Sequence, residues 1–350
     1  MENKKRILIS PLNWGLGHAT RCIPIINLLI KEGCEVIIAG EGKSLYLLQQ
    51  EFPNLEIIKI KNFEIKYYNN IPMIISMVFQ LPKILLSIYK DHLALKNILK
   101  KSKIDAVISD NRFGLWNKQI PCVFITHQLR IKSPIFEGLI QKLNYLFINN
   151  FSECWIADSI KENLAGNLSV TKEMPKKYKY IGPLSRFKYT KTEKKYKILS
   201  IISGPDPARR KLKDSIIREL SLLKEKSLIL LGETTKKEDY TIGNCRIISH
   251  AKSEKINQYI LESEIILTRS GYSTIMDLSK LGSKAIFIPT TGQTEQEYLS
   301  KLYKRRNLCF CISEKKFNLK NSITNSLKYN GFRINKENDM LKEVILPFLR

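Results

Sequence analysis

Four short stretches place chemically capable residues directly after apolar runs. The first, "GLGHATR", carries Gly15, Gly17, His18 and Arg21. The others are Ser109-Asp110-Asn111-Arg112, Thr126-His127-Gln128 and Thr268-Arg269-Ser270-Gly271. Glycines suit a turn that must bring its backbone close to another molecule, because a Cβ would block the approach. The unpaired N–H groups at the start of a following helix favour an anion such as phosphate or carboxylate. His18 and Arg21 lie one helical turn apart on the same face. A histidine titrates near neutrality and can remove a proton from an attacking hydroxyl. His18 is the first choice for that base, and Asp110 and His127, which also end strands, are the second. One polar strand end is ordinary, since every βα loop is polar; four in register point to a ligand site.

These residues need a scaffold that ends several strands on one side. "RILIS", "CEVIIAG", "LEIIKI", "IDAVISD" and "PCVFITH" are apolar and rich in β-branched residues, without polar alternation, as expected of strands covered on both faces. Helices over 18–31 and near 43–51 alternate with them, which is the pattern of a parallel doubly wound sheet. "YIGPLSRF" breaks the periodicity around Gly182 and Pro183, and a second series of strands begins with "KILSIIS". It continues through Ser227 to Gly232, "CRIIS", "EIILTRSG" and "KAIFIP". The expected architecture is α/β, with two Rossmann-like domains over 1–185 and 186–335 whose parallel sheets face a central cleft. A final helix over 336–350 is expected to pack back on the first domain. Ligands of such sheets bind beyond the carboxyl ends of the strands.

A chain of 350 residues is long enough for two domains of common size. Its net charge of +25 is shared by both halves, so no single tail carries it. The zinc spacings, helix-turn-helix pattern or stacked aromatics of nucleic-acid binders are absent, so nucleic acid is not the expected partner. A nucleotide substrate or an anionic membrane surface accounts for the sign. The seven cysteines show no CxxC pairing and read as buried hydrophobes of a reducing cytosol. After "MENKKR" the apolar run is too short for a secretory leader, which makes the expected location cytoplasmic. Residues 71–99 are the most apolar stretch. Gln80, Pro82 and Lys83 interrupt it, so a buried helix pair is expected there rather than a membrane span. The other reading rests its apolar face and lysines on the inner leaflet. No cluster of carboxylates or histidines has metal-ligand spacing.

With the "GLGHATR" turn, the two-domain pattern and "LTRSGYSTIMDLSKLGSKAIFIPTTGQTEQEYL", the chain resembles the GT-B glycosyltransferases. The similar branch contains the peptidoglycan enzyme that adds N-acetylglucosamine to lipid I and the plant galactolipid synthases. The resemblance implies that Arg269, Ser270, Gly271, Ser273 and Thr274 form the donor's diphosphate turn, with Asp277 on the ribose. It implies that Gln296 and Glu297 touch donor sugar hydroxyls, that Gly204 flanks the phosphates, and that backbone around His250 meets the base. The first-half turn also resembles that of a nucleotide-sugar hydrolase of pseudaminic acid synthesis, in which the histidine activates water. Gly15, Gly17, Arg21, Asn111, Arg112 and Gln128 are then the residues expected around the acceptor or phosphate.

The activity implied is transfer of a sugar from a nucleotide diphosphate sugar to a glycan or lipid hydroxyl, with inversion and with neither metal nor cofactor. Two other enzymatic readings use the same fold: hydrolysis, with water as acceptor, and 2-epimerisation of a nucleotide sugar. A non-catalytic nucleotide-sugar or nucleic-acid binding protein is the alternative outside enzymes. Nucleotide release from a panel of nucleotide sugars, with and without acceptors, separates them.

Overall fold

The computed structural model describes residues 4–61, 73–131, 137–170, 174–204, 208–234, 237–334 and 339–349, with the side chains of 73–79 outside the description. The chain divides into two compact units, one of residues 1–185 with 337–350 and one of 186–336.

The first unit is built on β1 (Arg6–Pro11), β2 (Glu35–Gly40), β3 (Glu56–Lys59), β4 (Ala106–Asp110), β5 (Cys122–Thr126), β6 (Glu153–Ile156) and β7 (Tyr178–Tyr180). Among the described residues these form one sheet in the order β3-β2-β1-β4-β5-β6-β7, every pair parallel. Strands β4 and β5 are buried along their whole length, as their unbroken apolar sequence requires. Helix α1 (Leu16–Lys31) returns from β1 and α2 (Gly42–Glu51) from β2. The direction of winding reverses between the adjacent strands β1 and β4. Their carboxyl ends therefore form the topological switch point, where doubly wound sheets bind ligands.

Residues 73–101 differ from expectation, because they form one helix, α3 (Met73–Lys101), and not a buried pair. A proline inside a helix loses one backbone bond and kinks the axis without having to end it, and Pro82 sits within this one. Nor is the helix buried: Leu81, Leu85, Leu86, Tyr89 and Leu93 are exposed. Among the described residues no helix is long and apolar enough to cross a membrane. Its inner face joins a core with Leu95, Phe124, Ile148 and Phe151, which also receives α4 (Glu137–Ile148). Helix α10 (Met340–Phe348) packs on this unit, with the Phe348 ring 5.1 Å from that of Trp155.

The second unit holds β8 (Tyr196–Ile201), α5 (Ala208–Ser221), β9 (Ser227–Leu230), β10 (Asp239–Ile242), β11 (Cys245–Ile248), α6 (Ser253–Leu261), β12 (Ser263–Thr268), α7 (Tyr272–Leu281), β13 (Lys284–Phe287), α8 (Thr294–Arg305), β14 (Phe310–Cys311) and α9 (Leu319–Ser326). The sheet order is β10-β11-β9-β8-β12-β13-β14. Only the β10 and β11 pair is antiparallel among the described residues, a hairpin that turns at Gly243 with φ 57°. The switch point of this unit lies between β8 and β12.

Candidate functional site

At the first unit's switch point, Gly15 ends the β1 loop with φ 138°, a conformation that favours glycine, and α1 starts at the next residue. That start puts His18 in the first turn of α1 and Arg21 one turn further. Asp110 is the last residue of β4 and is fully buried. Arg21 forks onto both oxygens of that carboxylate, Nε to Oδ2 and Nη2 to Oδ1. Its Nη1 donates to Nδ1 of His127 at 2.8 Å. A guanidinium only donates, so the His127 proton is on Nε2. Nδ1 of His18 lies 2.8 Å from Asp110 Oδ1 and 2.8 Å from Arg21 Nη2. His18 Nδ1 thus meets one acceptor and one donor: with its hydrogen on Nδ1, His18 donates to the carboxylate and the Nε2 lone pair is left for a reacting group, and with the hydrogen on Nε2 it accepts from Arg21 instead.

The electrostatics support that division. Burial pushes the Asp110 carboxyl up, but the charges and hydrogen bonds of Arg21 and His18 outweigh it and hold the pKa at about 2. Burial, helped by the Arg21 charge, lowers the pKa of His18 against the opposing pull of Asp110. His18 is thus neutral at physiological pH. Its side chain is 18% exposed where Asp110 is 0% and Arg21 1%, so of these three only His18 can meet an incoming molecule.

Several expected roles change. Asp110 is fully buried, paired with Arg21 and held ionised, so it does not face an incoming hydroxyl. Arg21 is buried in the network and does not face a phosphate. Arg112 is 1% exposed and also internal. It forks onto Asp91 of α3, with Nε 3.1 Å from Oδ2, and reaches Ser10 Oγ at 3.2 Å and the Lys61 carbonyl at 3.3 Å. Asp91 itself gave no signal, since one acid in a long apolar run reads as a solvated position. Asn111 takes a left-handed conformation, φ 55°, and its N–H donates to the Ile125 carbonyl at 3.2 Å. Gln128 keeps a half-buried side chain beside the network, and its N–H donates to Thr126 Oγ1 at 3.0 Å.

In the second unit, Gly204 follows β8 with φ 106°. Gly271 is the N-cap of α7 and offers no capping oxygen, while half-buried Ser273 and Thr274 occupy the first turn. Asp277 is half-buried in the second turn of α7. His250 is half-buried in the loop after β11. Three residues expected on the donor, Arg269, Ser270 and Gln296, are instead buried, and a fourth, Glu297, is half-buried. Arg269, 1% exposed, donates to the carbonyls of Ile288 at 3.0 Å, Pro289 at 3.2 Å and Ala208 at 3.3 Å, and pairs with Glu314 at 3.0 Å. Ser270 is fully buried and donates to the Gln296 carbonyl at 2.8 Å. The Gln296 side-chain oxygen accepts the Thr290 N–H at 2.8 Å, and Glu297 accepts the Gly292 N–H at 2.8 Å. Together they brace the loop after β13. Among the described residues no three His, Cys, Asp or Glu side chains gather as a metal site.

Residues 201–344 match the glycosyltransferase family 28 C-terminal domain. The whole fold superposes on the crystal structure of the glycotransferase of kitacinnamycin, with TM-score 0.63 at 11% identity, covering 99% of this chain and 94% of that one. The chain is a glycosyltransferase, and its two parallel-rich α/β sheets have the GT-B fold. It is similar to a UDP-N-acetylglucosamine–N-acetylmuramyl-(pentapeptide) pyrophosphoryl-undecaprenol N-acetylglucosamine transferase of Haemophilus ducreyi, 22% identical over 317 residues, 85% of this chain and 82% of the relative. The enzyme of the same name from Buchnera aphidicola subsp. Schizaphis graminum is 25% identical over 315 residues, 85% of this chain and 81% of the relative.

Proposed function

We propose that this enzyme transfers a sugar, with inversion and without a required metal, from a nucleotide diphosphate sugar to the hydroxyl of a lipid-linked glycan in cell-envelope synthesis. The observation that carries the reading is the His18–Asp110–Arg21 cluster: a neutral, partly exposed imidazole held by a sealed carboxylate that is itself held by an arginine. The names of the relatives support UDP-N-acetylglucosamine as donor and a polyprenyl-pyrophosphoryl sugar as acceptor.

An acceptor hydroxyl has a pKa far above 7 and must lose its proton as it attacks. His18 Nε2 takes that proton while the acceptor oxygen bonds to the anomeric carbon. The bond from that carbon to the diphosphate oxygen breaks, and the diphosphate leaves with the electron pair. Asp110 holds the imidazole in orientation and stabilises the imidazolium that forms. The start of α7 at Gly271, with Ser273 and Thr274, supplies amide and hydroxyl donors for the departing charge. Asp277 accepts from the ribose hydroxyls.

The acceptor unit works at the cytoplasmic face of an anionic bilayer. Leu85, Leu86 and Tyr89 on α3 and Leu139, Leu143 and Leu146 on α4 are exposed, on two helices that share one core. Exposed Lys83, Lys90 and Lys142 accompany them, a combination that suits a negatively charged lipid surface.

The test is nucleotide release from a panel of nucleotide sugars, with and without a polyprenyl-pyrophosphoryl muramyl acceptor, repeated in EDTA. Acceptor-dependent release that survives EDTA is expected. Equal release of free sugar in water marks a hydrolase, interconversion without release marks an epimerase, and neither change marks a binding protein. Loss in EDTA restored by one divalent ion removes the metal-independent part.

A further inference from the structure

The loop after β13 contains a buried side chain that the fold leaves unsatisfied. Thr290 is 8% exposed, and its Oγ has no hydrogen-bond partner. Buried side-chain polar atoms are nearly always paired, so an orphan hydroxyl needs a reason. Its backbone, by contrast, is fully engaged. The N–H donates to Gln296 Oε1 at 2.8 Å, and the carbonyl accepts from the Gln293 N–H at 3.1 Å. Arg269 holds the two preceding carbonyls, those of Ile288 and Pro289. The loop is thus fixed from both sides, and the hydroxyl is the one polar group of Thr290 left without a partner.

Where the hydroxyl lies follows from the sheet. A Cβ added to Gly204 would stand 3.7 Å from Thr290 Oγ. Gly204 follows β8 and Thr290 follows β13, while β12 lies between those strands. A group from the end of β13 that reaches the end of β8 must pass over the end of β12, where the Arg269-Ser270-Gly271 turn opens α7. The hydroxyl therefore sits at the switch point of this unit, beside a helix start whose N-cap has no side chain. That end of a helix favours an anion. Gly204 faces the hydroxyl at van der Waals distance without a side chain of its own, and its φ of 106° favours glycine there.

We infer that the Thr290 hydroxyl is a direct ligand of the donor's diphosphate, donating its hydrogen to a phosphate oxygen. The inference deepens the donor reading above and rests on it. It also gives Arg269 and Gln296 a reason to face inward, since they hold the backbone that carries Thr290.

Titration calorimetry of wild type, Thr290→Val and Thr290→Ser with UDP, GDP, dTDP and ADP, and with the matching nucleosides, tests it. A hydrogen bond to a charged group is strong, so Thr290→Val is expected to weaken diphosphate binding about tenfold or more. Thr290→Ser should keep it, nucleoside binding should not change, and the unliganded Tm of Thr290→Val should stay level or rise because an unpaired hydroxyl has gone. Thr290→Ala serves as the second hydroxyl-free variant and should show the same loss. Wild-type diphosphate affinity in a folded hydroxyl-free variant overturns the inference and leaves the donor reading standing. If wild type binds no nucleoside diphosphate, the donor reading and the inference fall together.

Discussion

Replacing His18 by alanine separates a base from a structural residue. In the folded protein the imidazole contributes one hydrogen bond to Asp110, which keeps both contacts from Arg21. Losing that bond costs about 1–2 kcal/mol, and for a unit of this size each kcal/mol lowers Tm by about 2–4 °C. The expected drop is therefore about 2–8 °C. Turnover should respond on another scale. General base catalysis contributes about 10²–10⁴-fold, or about 2.7–5.4 kcal/mol of barrier at 1.36 kcal/mol per decade. Donor affinity, measured separately by calorimetry, should stay near wild type, because the proton is removed only in the transition state. The assay is acceptor-dependent nucleotide release under saturating donor. A folded His18→Ala protein that retains most of its turnover refutes the assignment. His127 then becomes the base to test, since Asp110 is sealed.

Asp110→Asn should destabilise the first unit far more than His18→Ala does, by about 3–5 kcal/mol, because it leaves the 1% exposed Arg21 guanidinium without its counter-charge; thermal denaturation reads this directly, and a shift under about 1 kcal/mol contradicts the buried pair. The pH dependence follows from two lowered pKa values. Asp110, held at about 2 when folded, contributes stability that is complete above its unfolded pKa near 3.9 and lost as pH falls toward 2. His18 is also lowered on folding, so its contribution is complete above about 6.5 and declines as pH falls below that value. For kcat/KM this sets an acid limb with an apparent pKa under about 6.5, absent in His18→Ala, and a limb centred higher refutes the neutral-histidine argument. Leu85→Glu with Leu143→Glu should cut co-sedimentation with phosphatidylglycerol vesicles about tenfold or more, since each leucine contributes about 1.5–3 kcal/mol when buried in lipid; unchanged co-sedimentation removes the membrane face.

The sheets were readable because buried parallel strands have no polar face: "IDAVISD" and "PCVFITH" admit few other structures. Strand β10 was hidden for the opposite reason, since all four of its residues are exposed and it pairs only as a hairpin edge. Helix α3 was misread as a pair because Pro82 looks like a break, whereas the flanking turns on both sides carry the helix through it. At the site, residue type gave position but not direction. An arginine after a strand reads the same whether it meets a phosphate or a carboxylate of its own chain. Arg21 finds Asp110 at a separation of 89 residues, Arg112 finds Asp91 at 21 and Arg269 finds Glu314 at 45. No local pattern encodes such pairs. The same holds for Thr290, whose hydroxyl stands out only once its burial and missing partner are known.

The inward turn of all three arginines has a chemical consequence at the reacting centre. An arginine facing the ligand beside His18 would present a bare positive charge and depress the basicity of the imidazole further. Arg21 instead forms a pair with Asp110 that is neutral as a unit. The pair still holds Nδ1 of His18 in place, and the carboxylate offsets part of the Arg21 effect on its pKa. A histidine too acidic cannot accept a hydroxyl proton efficiently, and one too basic is already protonated at neutral pH. In the second unit Arg269 plays a comparable part from behind, fixing the carbonyls before Thr290. On the donor reading proposed above, contact with the donor's charge is left to amides and hydroxyls, dipoles that can stabilise a leaving diphosphate without binding the product as strongly as a full charge would.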